Sequence, residues 1–223
     1  SEKNYGIQKF SIISNPHSEF CLLKNQDFKS QILETVILNL NSEESTLWKN
    51  LNKKTRNQVR KADSNGIKIK RFESVTPELL DSYFDMIEIT MGKLENSRKS
   101  FYRDIVKQLS EKKRVNFFMA EYEGEYISGA IVLLFGKTAY YWNGASLKKY
   151  QSLSPNNLLQ WEIIKWAKSN KFTKYDFVRI ERDNLPGIAK FKLGWGGKVV
   201  PYNKFFKDKK FYKWAKFFLG NKT

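Results

Sequence analysis

Residues 115–144 constrain this chain more than any other stretch. Three segments follow one another there: Val115–Tyr122, Tyr126–Phe135 and Thr138–Gly144, rich in β-branched and aromatic residues. Only Glu123-Gly124-Glu125 and Gly136-Lys137 separate them. Links this short are hairpin turns, so three antiparallel strands are expected side by side. Ser154-Pro155 then opens a helix, with Ser as N-cap and Pro at the first helical position. Its inner stripe is Leu159, Ile163 and Trp166, and it ends near Asn170. A short buried strand at Tyr175–Val178, a short helix at about Leu185–Leu193 and a strand at Lys198–Phe205 follow. A terminal helix is expected at Asp208–Leu219.

Upstream, Phe10–Ser14, Phe20–Lys24 and Glu34–Leu40 read as short strands, the last the strongest because it is β-branched and alternates. Ile67–Phe72 alternates apolar and polar, as a half-exposed strand should. Thr76 or Pro77 opens a helix to about Met91, with a stripe of Leu79, Leu80, Tyr83, Ile87 and Met91. A second helix covers about Arg98–Lys112, with Phe101, Ile105, Val106 and Leu109 inward. Between these regions lies Leu47–Gly66, a strongly basic stretch of helical pattern. Its apolar positions are Trp48, Leu51, Val59 and Ala62, and Arg56 and Arg60 share one helical face. Asn41 with Glu44 reads as a capping-box start, and Asn65-Gly66 as the stop. A helical hairpin or a kinked helix fits the pattern. The expected organisation is an N-terminal β segment at 1–40, a basic helical link at 41–65 and a main α/β domain, a mixed sheet with helices on both faces, at 66–223.

The 223 residues carry 40 lysines and arginines against 23 acidic residues, a net charge of +17. A surplus that large points to a polyanionic partner: nucleic acid, a phosphorylated ligand or an anionic membrane surface. A basic helix has a plainer reading too, as a solvated charged face. One cysteine, Cys21, excludes an internal disulfide and suits a reducing compartment. One histidine, His17, argues against a His-rich metal site and a Ser-His-Asp triad, and no metal is expected. Neither an apolar run of membrane-spanning length nor a signal-peptide pattern occurs, so a soluble, cytoplasmic protein is expected.

From residue 66 the order is strand, two helices, three antiparallel strands, helix, strand, helix, strand. That is the layout of the GNAT N-acyltransferase fold. Three stretches sharpen the likeness: LWKNLNKKTRNQVRKADSNGI at 47–67, YYWNGASLKKYQSLSPNNLLQWEIIKWAKSNKFTKYDF at 140–177, and GIAKFKLGWGGKVV at 187–200. Together they resemble the FemABX group of peptidyltransferases, which use aminoacyl-tRNA and build the interpeptide bridge of peptidoglycan. That group has two GNAT-like halves in tandem. The resemblance covers about residues 34–205 and corresponds to the second half plus the helical link into it. Residues 1–40 would then be the end of a first half.

The resemblance implies roles. Lys192 matches a lysine near the reacting centre, a cationic stabiliser of the tetrahedral intermediate or of the tRNA end. Phe191 beside it would bind substrate. Arg98 and Tyr102 match positions holding the phosphates of a nucleotide-linked precursor, and Arg suits phosphate by its bidentate geometry. Tyr141 matches a tyrosine on the central strand facing the groove. Arg56, Arg60 and Lys61 are candidates for RNA backbone or substrate phosphate. The plain alternatives are a surface lysine, an exposed arginine beside a core tyrosine, and a strand aromatic in the core. The donor would be aminoacyl-tRNA, with no cofactor, and the partner a nucleotide- or lipid-linked cell-wall precursor. In the terminal helix Phe211, Trp214, Ala215 and Phe218 form an apolar stripe among lysines, suiting peripheral contact with the inner membrane face or packing on the sheet.

Two rivals stand beside this reading. An acyl-CoA N-acyltransferase needs a Gly-rich loop before the central helix so that backbone N–H groups reach the pyrophosphate. Leu147–Ser154, LKKYQSLS, has no glycine, so acetyl-CoA is the less favoured donor. A non-catalytic half-length module binding RNA or a precursor is the rival from another class.

Overall fold

The computed structural model describes residues 9–14, 29–91 and 94–208. The strand expected at Phe20–Lys24 lies outside them, as does the terminal helix apart from Asp208, which ends a strand. The chain divides into two units, residues 1–35 with 199–223, and residues 36–198. In the first, β1 (Lys9–Ile13) pairs antiparallel with β8 (Lys198–Asp208), from Lys9↔Asp208 to Ile13↔Lys204. Ser14 locks the end of that ladder: its N–H donates to the Asn203 carbonyl at 2.8 Å, and its hydroxyl accepts the Asn203 N–H at 2.9 Å.

The second unit contains the end of β2 (Lys29–Asn39) and the strands β3 (Lys68–Phe72), β4 (Val115–Tyr122), β5 (Glu125–Phe135), β6 (Thr138–Ser146) and β7 (Lys174–Ile180). Their order is β2-β7-β6-β5-β4-β3. β4 to β6 run antiparallel, as their short links require, and β3, two helices earlier in the chain, also pairs antiparallel with β4. The turn into β5 has Glu123 and Gly124 both at positive φ, 49° and 82°, which matches the right-handed strand twist. The chain returns through α5 (Pro155–Ser169), so β7 pairs parallel with β6.

Both faces of this sheet are covered. Val115, Phe117 and Met119 of β4 pack with Leu80, Tyr83, Phe84 and Ile87 of α3 (Pro77–Met91) and Val106 of α4 (Asn96–Glu111). The alternate residues Phe118 and Ala120 share the other core with Leu158, Leu159 and Ile163 of α5. The period-2 alternation of β4 thus serves two apolar layers at once. The second core also takes in the basic link. Leu47 of α1 (Glu44–Asn50) is buried, as are Val59 and Ala62 of α2 (Lys53–Ser64) and Leu51 between the helices. Gly194-Trp195-Gly196-Gly197 follows α6 (Pro186–Leu193) and docks against the link. Trp195 is fully buried between Phe177 and Phe191, and a Cβ on Gly196, at φ +75°, would strike the Asn50 carbonyl.

Several local expectations change. The first basic helix starts from Glu43, not Asn41, whose N–H is instead accepted by Asn39 Oδ1 at 3.0 Å. A break at Leu51-Asn52, both extended, splits the stretch into two helices, and Asn52 Oδ1 caps the second by accepting the Thr55 N–H at 2.7 Å. Ser154 makes no side-chain cap. It sits in the left-handed region (φ 59°, ψ 39°), ending a 3-10 turn over Lys148–Leu153 before Pro155 starts α5. Phe101 is 56% exposed, because α4 turns Tyr102 and Val106 to the core instead.

Candidate functional site

The site begins where two strands part. Parallel pairing of β6 and β7 covers Thr138↔Lys174, Ala139↔Tyr175 and Tyr140↔Asp176. Beyond it lies a cleft of about 780 Å³. One wall is residues 141–146 of β6, another Arg179 and Glu181 at the end of β7, and a third Leu185, Gly187, Ile188, Phe191 and Lys192 on and before α6. Gln151 and Asn156 close the end near α5. β6 carries a bulge there: Asn143 faces Ile131 and Tyr141 faces Val132, leaving Trp142 as the extra residue. Tyr141, Trp142 and Asn143 all line the cleft.

Lys192 is 6% exposed, although it lines the cleft. Its Nζ donates to the Arg179 carbonyl at 2.8 Å and stands 5.9 Å from the centre of the Tyr141 ring. Burial lowers its pKa from 10.5 to about 8, against the pull of Asp176 and Glu181. At pH 7 such an amine is still about nine-tenths protonated, so it is a poorly solvated cation whose proton leaves readily. Burial pushes the Tyr141 phenol up to about 12, so it is a neutral hydrogen-bonding group and not a base. A Cβ on Gly144 would overlap the Tyr141 hydroxyl, so glycine there is a condition of the tyrosine's position.

Tyr102 approaches from α4. Buried Tyr83 donates its hydroxyl proton to Asn143 Oδ1 at 2.7 Å, and Asn143 Nδ2 donates to the Tyr102 hydroxyl at 2.7 Å. Tyr102 therefore accepts from Asn143 and keeps its own proton to give outward. Its ring lies 5.0 Å from that of Trp142. Arg98, one helical turn earlier, is exposed and close enough to favour the Tyr102 phenolate, against the upward push of burial. Near α5, Ser128, Asn156 and Ser146 form a polar chain: the Ser128 hydroxyl bonds to Asn156 Oδ1, and Asn156 Nδ2 donates to Ser146 Oγ at 3.0 Å.

Lys192, Phe191 and Tyr141 thus meet in one cleft, and Tyr102 is joined to it through Asn143, with Arg98 beside Tyr102. The basic candidates lie apart from the cleft lining. Arg56 donates to the Lys49 carbonyl at 2.9 Å and also to the Leu51 carbonyl, tying off the end of α1. Arg60 lies over the Trp48 ring at 5.3 Å. Lys61 is exposed on a shallow groove with Lys53, Lys54, Asn57 and Gln58. Among the described residues no group of His, Cys, Asp and Glu is arranged to hold a metal ion. Sequence reasoning missed Asn143, Asn156 and Asp176. Asp176 left a signal, as a carboxylate between Tyr175 and Phe177, the aromatic neighbours with which it is buried in β7.

Residues 49–193 match the family described as Acetyltransferase (GNAT) domain. A lipid II:glycine glycyltransferase of Staphylococcus epidermidis is 37% identical over 82 residues, 34% of this chain and 20% of that protein. One from Staphylococcus haemolyticus is 29% identical over 136 residues, 57% of this chain and 31% of that protein. The chain thus spans a fifth to a third of the length of these curated relatives. The crystal structure of FemX superposes with a TM-score of 0.67 at 18% identity, covering 82% of this chain and 64% of that one, a likeness of fold. The match over most of the second unit, and the same fold in FemX, agree with the element order and the cleft, and the chain belongs to the Acetyltransferase (GNAT) domain family.

Proposed function

We propose that this chain carries the acyl-transfer centre of a Fem-type aminoacyltransferase, moving an amino acid from aminoacyl-tRNA to an amine of a peptidoglycan precursor. The relatives named lipid II:glycine glycyltransferase make glycine the donor residue and a lipid-linked precursor the acceptor of choice. The observation that carries the reading is Lys192, a buried amine in the cleft wall beside Tyr141. An aminoacyl ester is already activated, so the site has to hold the amine against the carbonyl and stabilise the oxyanion. The acceptor nitrogen forms the new C–N bond, the ester C–O bond breaks, and the amine's proton passes to the leaving ribose oxygen. The Lys192 ammonium faces the developing oxyanion. Tyr102, with its outward proton, and Arg98 suit acceptor phosphate. A charged tRNA as donor implies a cytoplasmic protein, and among the described residues no helix is long and apolar enough to cross a membrane.

The segment before α5 favours tRNA over acetyl-CoA as donor. Leu147–Ser154 contains the 3-10 turn Lys148–Leu153, the Tyr150 and Ser154 N–H groups are given to the Leu147 and Gln151 carbonyls, and Pro155 has no N–H to offer. A pyrophosphate cradle of the P-loop kind needs those donors free. The test is single-turnover transfer from glycyl-tRNA to a lipid II analogue, with acetyl-CoA as the competing donor, for wild type and Lys192→Ala. Transfer from tRNA that falls about a hundredfold in the variant is expected if Lys192 stabilises the oxyanion. Transfer from acetyl-CoA alone, or an undiminished rate in the variant, would refute the reading. Salt-sensitive tRNA binding without turnover would leave a binding module.

A further inference from the structure

The sheet does not explain why β7 leaves β6 where it does. Asp176 is the last residue of β7 in the parallel register, and it is 4% exposed. Its Oδ1 accepts the N–H of Val178 at 2.7 Å. Val178 has φ +53°, a conformation that a β-branched residue strongly resists. The very next carbonyl, that of Arg179, receives the Lys192 ammonium. An unfavourable backbone conformation persists only where its surroundings over-determine it, and such residues gather at functional sites. Here the carboxylate holds the strained amide, the strained residue turns the chain that follows it, and the carbonyl of the next residue, Arg179, anchors Lys192.

We infer that Asp176 and Val178 are positioning residues for Lys192: the carboxylate holds Val178 in the left-handed conformation that aims the Arg179 carbonyl at the Lys192 amine. The inference rests on the reading of the cleft as an acyl-transfer site. Without an acceptor at 176, Val178 relaxes to extended backbone, the Arg179 carbonyl rotates away, and Lys192 leaves its place beside Tyr141.

Two readouts test this on the whole chain. In the transfer assay, Asp176→Ala lowers kcat at least about tenfold with KM within about twofold, since a misplaced group costs rate more than binding. Asp176→Asn keeps an acceptor oxygen and falls by no more than about threefold. Val178→Gly in the Asp176→Ala background restores most of the loss, because glycine takes positive φ without help. The second readout needs no transfer. Trace acetylation by acetic anhydride at about pH 11, where a lysine amine is largely neutral whether buried or exposed, read by peptide mass spectrometry, labels buried Lys192 less than exposed Lys190 in wild type. Asp176→Ala raises Lys192 labelling several-fold, and the double variant lowers it again. Unchanged Lys192 labelling in Asp176→Ala, or a double variant no better than the single one, overturns the proposal. Should Asp176→Ala fail to fold, the double variant is expected to fold, and its failure would overturn the proposal equally. If wild type transfers nothing from tRNA, the functional reading fails, while the labelling series still decides the positioning.

Discussion

Replacing Lys192 by Met should stabilise the protein at neutral pH, and the size of the effect can be worked from its surroundings. The amine's pKa falls from 10.5 to about 8 on folding because burial disfavours the charged form. A difference of that size is about 3 kcal/mol held against the folded state wherever the lysine is charged in both states. Methionine fills a similar volume without charge. It also gives up the 2.8 Å bond to the Arg179 carbonyl, which returns about 1–2 kcal/mol. The net expectation at pH 7 is a gain of about 1–2 kcal/mol from a change that abolishes the proposed chemistry. The pH dependence is the sharper test. Between about pH 8 and 10.5 the unfolded lysine binds more protons than the folded one, so wild-type stability rises with pH across that window and is flat below it. The variant lacks this rise. Urea denaturation of both proteins at pH 7, 8, 9 and 10 isolates the effect, since every other group titrates in both. The gap should shrink with pH and reverse near pH 10. A gap that stays constant would mean that Lys192 is not buried as a cation, and the argument from its desolvation would fail.

Other perturbations read other parts of the site. Gly144→Ala should push Tyr141 out of the cleft, lowering transfer about tenfold and stability by about 1–3 kcal/mol, measured as turnover and denaturant midpoint. Asn143→Leu should leave the buried Tyr83 hydroxyl without its acceptor, a loss of about 1–3 kcal/mol visible in thermal unfolding, and free Tyr102 to rotate. Arg56→Ala should lower stability by about 1–2 kcal/mol while leaving the salt dependence of tRNA binding unchanged, because its donors serve carbonyls of its own chain. Changing Lys53, Lys54 and Lys61 to Gln should instead reduce the slope of log affinity against log salt by about 1 for each RNA phosphate that is no longer neutralised.

The parts of the fold legible in the sequence are those set by neighbours along the chain. The strands at 115–144 are readable because their links are too short for any other arrangement, and α5 because Pro155 can sit only at a helix start. Errors fall where a distant contact chooses between local options. Asn41 could have capped a helix, but Asn39 takes its N–H. The helix at 98–112 offers two overlapping apolar faces, and the position of Phe84 and Trp142 selects the one with Tyr102, which leaves Phe101 outside. No pattern within the helix distinguishes them.

The basic stretch shows why charge is a weak guide to a site. Arg56 and Arg60 lie four residues apart, a spacing that pairs them on one helical face. In the fold one closes the end of the preceding helix and the other lies on Trp48, which in turn packs against Trp161 of α5 at 5.0 Å. Both guanidiniums act inside the link, one across the break between its helices and the other on the tryptophan that meets α5, roles for a planar, many-donor cation that lysine fills badly. The surplus lysines on the groove beside them are the ones left facing solvent. Conversely, the cation that matters for chemistry is the one the composition hides best. Lys192 is one of 40 basic residues, and its burial at the foot of a strained strand separates it from the others among the described residues. A buried charge has to be held by something, and following what holds Lys192 leads from the Arg179 carbonyl to Val178 and on to Asp176.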